Sequence, residues 1–108
     1  MPKPSKALLP LAAKDIARFW SKVDKTPGHG PYGDCWLWMP PPGDAGYGQF
    51  GYGKVGIEYR NVKAHRIAYF LHYGEDPHPL LACHTCDFKL CCNGAHLFKG
   101  TSKDNGSD

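Results

Sequence analysis

No stretch of the 108-residue chain is apolar for long enough to cross a bilayer. The opening, MPKPSKALLPLAAKD, is too short and too interrupted by proline for a convincing signal peptide, so the expected compartment is the cytoplasm and no membrane partner is expected. Charge imbalance is slight as well. Thirteen basic and ten acidic side chains leave a formal +3, which permits nucleic-acid binding without demanding it. An even cysteine count is also missing. Five thiols in a reducing compartment are better explained as metal ligands or buried side chains than as disulfides. With no internal repeat and no linker, the expectation is a single domain over residues 1–108.

What the chain does have is ten prolines and thirteen glycines, neither of which suits the interior of a helix or strand. A domain this small buries a modest share of its surface, so a metal cross-link is a reasonable expectation on stability grounds. The basic groups are uneven: six against two acidic ones in residues 1–25, and four against two in residues 51–75. A zinc ion held by three thiolates and a neutral imidazole would contribute about one further negative charge.

Residues 1–10 read as a loose, proline-rich arm. In LAAKDIARFWSKVDK, Ile16, Phe19, Trp20 and Val23 recur at helical spacing, which predicts an amphipathic helix ending before Pro27, with Trp20 in the core. Residues 26–46 are dense in turn formers and hold the isolated Cys35. A cysteine in such a loop is a candidate ligand that ties the loop down. Residues 47–62, YGQFGYGKVGIEYRNV, predict a glycine-interrupted antiparallel ribbon whose exposed face carries Gln49, Lys54 and Arg60. A ribbon of that kind can enter a DNA major groove, although an ordinary solvated sheet face explains it equally well.

In VKAHRIAYFLHYG, residues 62–74, Ala64, Ile67, Ala68 and Leu71 predict a second helix capped by Gly74. His65, Tyr69 and His72 form a second stripe on it, and Arg66 offers donors suited to a phosphate. LLAC then reads as a short strand leading into His84, and Thr101 as the N-cap of a terminal helix that holds Asn105 near its first turn.

The segment CHTCDFKLCCNGAH, residues 83–96, concentrates four of the five cysteines. Tetrahedral zinc needs four soft or borderline ligands, and spacing leaves two sets open. One pairs Cys83 and Cys86 with Cys91 or Cys92 and His96; the other takes Cys35, Cys86, Cys91 and His96. His84 stays outside both, and a histidine aimed by neighbouring ligands suits a general base at neutral pH.

The order of HTC, CCNGAHL and GTSKDN, with RFWSKVDK, CWLW, GYGQF and AHRIAYFLHYG upstream, resembles the zinc-bearing HNH endonucleases common in phages and the His-Cys box homing endonucleases. The resemblance covers about residues 18–108 and implies an α+β fold. Its centre would be a zinc-stabilised ββα-metal core over about residues 80–108, beside an N-terminal helix and an antiparallel β-ribbon. It implies Cys35, Cys86, Cys91 and His96 as structural zinc ligands, His84 as general base, and Asn105 as a ligand to a catalytic magnesium ion. The implied activity is DNA endonuclease: hydrolysis of a phosphodiester to 5′-phosphate and 3′-hydroxyl ends, with Arg66, Arg60 and Lys54 as candidate phosphate clamps. Double-stranded DNA would be the partner, nicked by a monomer or cut on both strands by a homodimer. A zinc-stabilised binding module that cleaves nothing is the alternative.

Overall fold

The computed structural model describes residues 8, 11–30, 33–43, 46–54, 56–78 and 80–101. Helix α1, Ala13–Trp20, begins where the Asp15 carboxylate accepts the Ala12 amide at 3.2 Å, with an acid in the first turn and Arg18 in the last to complement the helix dipole. It ends a turn earlier than the periodicity predicts. The Ser21 hydroxyl donates to the Arg18 carbonyl at 2.6 Å and the Lys22 amide to Phe19, and these bonds close the last turn. Val23 therefore lies in a strand: β1, Val23–Asp24, pairs antiparallel with β2, Leu37–Trp38.

Strands β3, Gln49–Lys54, and β4, Glu58–Lys63, form the expected ribbon, in register from Gln49 opposite Lys63 to Lys54 opposite Glu58. Alternation along a strand separates what the sequence reading placed on one face. Gln49 is exposed, whereas Arg60 stands opposite the buried Tyr52 and is half-buried, so these two do not share an outer surface. Helix α2, Ala64–Tyr73, follows β4 directly. Its end matches the expectation: Gly74 adopts φ +75° and its amide closes on the Phe70 carbonyl at 2.8 Å.

Strand β5, Leu81–His84, pairs antiparallel with β6, Leu97–Gly100, placing His84 opposite Leu97. Between them runs the cysteine loop, ending in a single 3-10 turn, Gly94–His96. Among the described residues, two α-helices and three antiparallel strand pairs make a small α+β fold. The expected terminal helix with Thr101 as its cap, and Asn105 on it, lies outside the described residues apart from Thr101 itself. Of the expected loose arm only Leu8 is described, and it is docked: it packs on the core while its amide donates to Asp76 at 2.8 Å.

The core is aromatic. Phe19 meets Trp38 at 5.2 Å and Phe50 edge-on at 5.3 Å between ring centroids, and Ile67, Ala68 and Leu97 close the cluster. Trp20 is only half-buried; it packs edge-on to Trp36, with the Lys25 ammonium over both rings. Arg18 reaches from α1 across the Phe50 ring to donate to the Gly51 carbonyl at 2.7 Å, which fastens the helix to the ribbon. Among the described residues no helix is long and apolar enough to cross a membrane.

Candidate metal centre and the buried histidine pair

Backbone pairing brings distant cysteines together before any metal is considered. The Trp38 amide donates to the Leu90 carbonyl at 2.9 Å and the Cys92 amide to Trp36 at 2.7 Å, so the cysteine loop runs alongside β2. Asn93 donates through Nδ2 to the Asp34 carbonyl at 3.0 Å. On the other side of Cys35, its own amide donates to His29. Gly30 adopts φ +77°, and a Cβ there would strike the Cys35 sulfur, so the turn before Cys35 depends on glycine twice over.

The result is one compact group. Donor atoms of Cys35, Cys86, Cys91 and His96 all lie within 4.8 Å of one another. His96 Nδ1 stands 3.6 Å from Cys35 Sγ and 3.4 Å from Cys91 Sγ. A tetrahedral zinc ion with bonds of about 2.3 Å to sulfur and 2.0 Å to nitrogen would separate such donors by about 3.6 Å. The group could therefore bind a metal ion such as zinc. Of the two ligand sets left open by spacing, this is the one that includes Cys35. Cys83 faces elsewhere, its thiol toward the Leu81 carbonyl, and Cys92 joins the aromatic core.

Burial raises the Cys35 thiol, reinforced by the Cys91 and Cys86 thiols beside it, and raises Cys91 as well. Without a metal these two are thiols at neutral pH. A bound dication would reverse that, since a coordinating thiol is deprotonated outright.

His84, at the end of β5, is 5% exposed, and its Nε2 lies 3.1 Å from the Cys91 carbonyl. That acceptor fixes the proton on Nε2 and leaves the lone pair on Nδ1, which is buried. The ring lies 4.5 Å from His65, and Tyr47 stacks on His65 at 5.1 Å. His65, from the first turn of α2, donates through Nε2 to the Ala82 carbonyl at 2.7 Å and so braces β5 two residues before His84. Burial pushes its pKa down to about 3, with His84 adding to the shift. Its companion on the predicted stripe, His72, is exposed, and its ring lies where Gly94 has no side chain.

The remaining candidates are dispersed. Arg66 donates to both oxygens of Asp76 at 3.1–3.2 Å, so a phosphate at that guanidinium would compete with a carboxylate. Gln49 packs its amide against Gly43 and stands opposite Lys63. The side chain of Lys54 and the whole of Asn105 lie outside the described residues. Sequence reading passed over three groups that converge on the histidine pair: Tyr47, Lys63 and the Cys91 carbonyl. A backbone oxygen carries no residue-type signal, and the only sequence signal at the other two is position: Tyr47 opens the predicted ribbon segment and Lys63 ends β4.

Two phage proteins resemble the chain. It is 35% identical over 74 residues to "Protein 2.8" of Escherichia phage T7, covering 68% of this chain and 48% of that protein. It is 36% identical over 75 residues to "Protein 7.7" of the same phage, covering 69% and 54% respectively. The chain thus spans about half the length of the curated relatives it matches. No family model matches it. No solved structure matches it either.

Proposed function

We propose that the protein is a zinc-stabilised DNA endonuclease of the HNH type, phage-encoded and acting in the cytoplasm. The observation that carries this reading is the placement of His84. A strand end delivers it against the metal-binding loop, and one residue of that loop, Cys91, offers its sulfur to the metal group and its carbonyl to His84 Nε2. Zinc, one per chain, would be held by Cys35, Cys86, Cys91 and His96. Its work would be to fix the loop that aims the base.

In the proposed reaction His84 Nδ1 takes a proton from water as the water oxygen attacks phosphorus in line. The bond from phosphorus to the 3′-oxygen breaks, leaving a 5′-phosphate and a 3′-hydroxyl once solvent protonates the leaving oxygen. Because Nδ1 is buried, the groups that cover it must shift before the reacting water can reach it. Magnesium, bound with the help of Asn105, would supply the charge that offsets the developing oxyanion. One such site cuts one strand of double-stranded DNA; a homodimer would be needed to cut both.

The 5% exposure of His84 favours a second reading, a zinc-stabilised module that binds DNA or protein without cleaving it. Supercoiled plasmid separates the two. Zinc-loaded wild type with magnesium is expected to give nicked or linear product, and His84→Ala, still folded and zinc-bound, none. Equal cutting by both proteins would remove His84 from the mechanism, and no cutting by wild type over varied plasmids and divalent metals would leave the binding module.

A further inference from the structure

Alternation along the ribbon divides it into two faces. Phe50, Tyr52 and Val62 are turned into the core, so the outer positions are Gln49, Gly51 and Gly53 on β3, which stand opposite Lys63, Asn61 and Tyr59 on β4. None of these six side chains is aliphatic or acidic. At the centre two β4 side chains meet over a glycine: a Cβ on Gly51 would strike both the Tyr59 hydroxyl and the Asn61 side-chain oxygen. Both residues are exposed. A phenol hydroxyl and an amide are thus presented side by side over a nearly bare stretch of β3.

The same face leads by contact to the candidate base. Lys63, the last residue of β4, holds its ammonium 4.5 Å from the centre of the Tyr47 ring, and that ring stacks on His65 and lies 6.2 Å from His84. At the β3 edge Arg18, whose side chain is 44% exposed, donates to the Gly51 carbonyl. Cations therefore flank the face. A protein partner would find little apolar area to bury there, whereas a polyanion finds charge complementarity at the margins and hydrogen-bonding groups between them.

A two-stranded ribbon fits the DNA major groove, about 12 Å wide, and two glycine positions let its backbone approach the base edges. An asparagine amide matches adenine there, accepting from N6 and donating to N7. Successive outer positions on β4 are about 6.8 Å apart, close to two base-pair steps, so Tyr59, Asn61 and Lys63 would span about four. Resting on the nuclease reading, we propose that this outer face reads base edges in the major groove, with Asn61 as a specificity-determining residue, Tyr59 beside it, and the duplex continuing past Lys63 to the histidine pair.

The test is selection of bound duplexes from a randomised pool without magnesium, using zinc-loaded protein. Wild type is expected to enrich a sequence containing a fixed adenine, and Asn61→Ala to lose about 5- to 150-fold of the discrimination at that base pair while keeping the preference at the others. Asn61→Asp, which can accept from cytosine N4, is expected to switch the preferred base there from adenine to cytosine, an outcome that loss of folding cannot imitate. A wild type that enriches no sequence, an Asn61→Asp protein that enriches the wild-type sequence, or an Asn61→Ala loss spread evenly over all positions would each overturn the proposal. Plasmid cutting is read separately: Asn61-dependent selection without cutting keeps the reading face and discards the nuclease, while cutting with selection that ignores Asn61 does the reverse.

Discussion

Replacing Cys35 by alanine in the zinc-loaded protein removes the one member of the metal group that lies far away in sequence. Cys86, Cys91 and His96 fall within a short loop, so a metal held by those three constrains little of the unfolded chain. Cys35 instead closes a loop of about 50 residues, and the chain-entropy relation for a cross-link of that span gives about 4 kcal/mol. Losing the buried sulfur costs about 1 kcal/mol more in packing, whether metal is present or not. Urea unfolding followed by circular dichroism, with zinc and with chelator, measures both parts. With a urea dependence of about 2 kcal/mol per molar, the variant midpoint should fall by more than 2 M in zinc and by about 0.5 M in chelator. A chelated wild type that is already unfolded would itself place the whole stability of the fold on the metal. Equal losses in the two conditions would refute the reasoning, because Cys35 would then be a packing residue and not a ligand.

Zinc binding should release at least about two protons per ion at neutral pH, since Cys35 and Cys91 are held as thiols in the metal-free protein; calorimetry in buffers of different ionisation enthalpy counts them, and fewer than one would contradict the assignment. Gly94→Ala should cost about 1–3 kcal/mol by driving a methyl group into the His72 side chain, and because the nearest atom is the His72 Cβ, which alanine keeps, His72→Ala in the same chain should not recover it in urea unfolding. The His65 pKa lies below its unfolded value, so its neutral form is favoured by folding: stability should be full above about pH 6.5 and fall by about 1.4 kcal/mol per pH unit toward pH 3. Subtracting the same curve for His65→Gln removes the contribution of metal loss, and a difference curve flat across that window would contradict the burial argument. Burial works against the Asp76 carboxylate, but amides of Leu8 and His78 and the Arg66 guanidinium outweigh it and hold its pKa low, so Asp76→Asn should destabilise the protein above about pH 4 and have no effect well below it.

The elements that read well from sequence were those with a local cause. Helix α2 has both an apolar period and a left-handed glycine at its end, and the ribbon has alternation between glycine-rich turns. Helix α1 was legible in its body but not in its end, because its last turn is closed by a side-chain bond from Ser21 and Val23 is claimed by a strand partner some fifteen positions away. Pairing of that kind leaves no periodic mark. The ribbon's faces were misjudged for a simpler reason: Gln49 and Arg60 were chosen by residue type, and strict alternation from the observed register sends them to opposite sides.

The metal group shows where composition ends and topology begins. Within Cys83–His96 the spacing admitted two ligand sets, and the tie between them is broken by β2, whose edge bonds to Leu90, Cys91 and Cys92 carry Cys35 to the cluster. The same edge bonds act on the candidate base. They fix the backbone at Cys91, and the carbonyl at that position is what holds His84 Nε2. With a metal bound, Cys35 would thus bear on His84 without touching it, through a strand, the metal and one carbonyl. A metal-free protein that kept its secondary structure would still be expected to lose the fixed tautomer of His84, since the loop presenting that carbonyl would no longer be anchored at its sulfur. Nitrogen chemical shifts of the His84 ring, recorded with zinc and with chelator, read this directly: a single Nε2-protonated form in zinc and a mixture of tautomers without it is the expected pair, and an unchanged Nε2-protonated form in both would mean that backbone pairing alone aims the base.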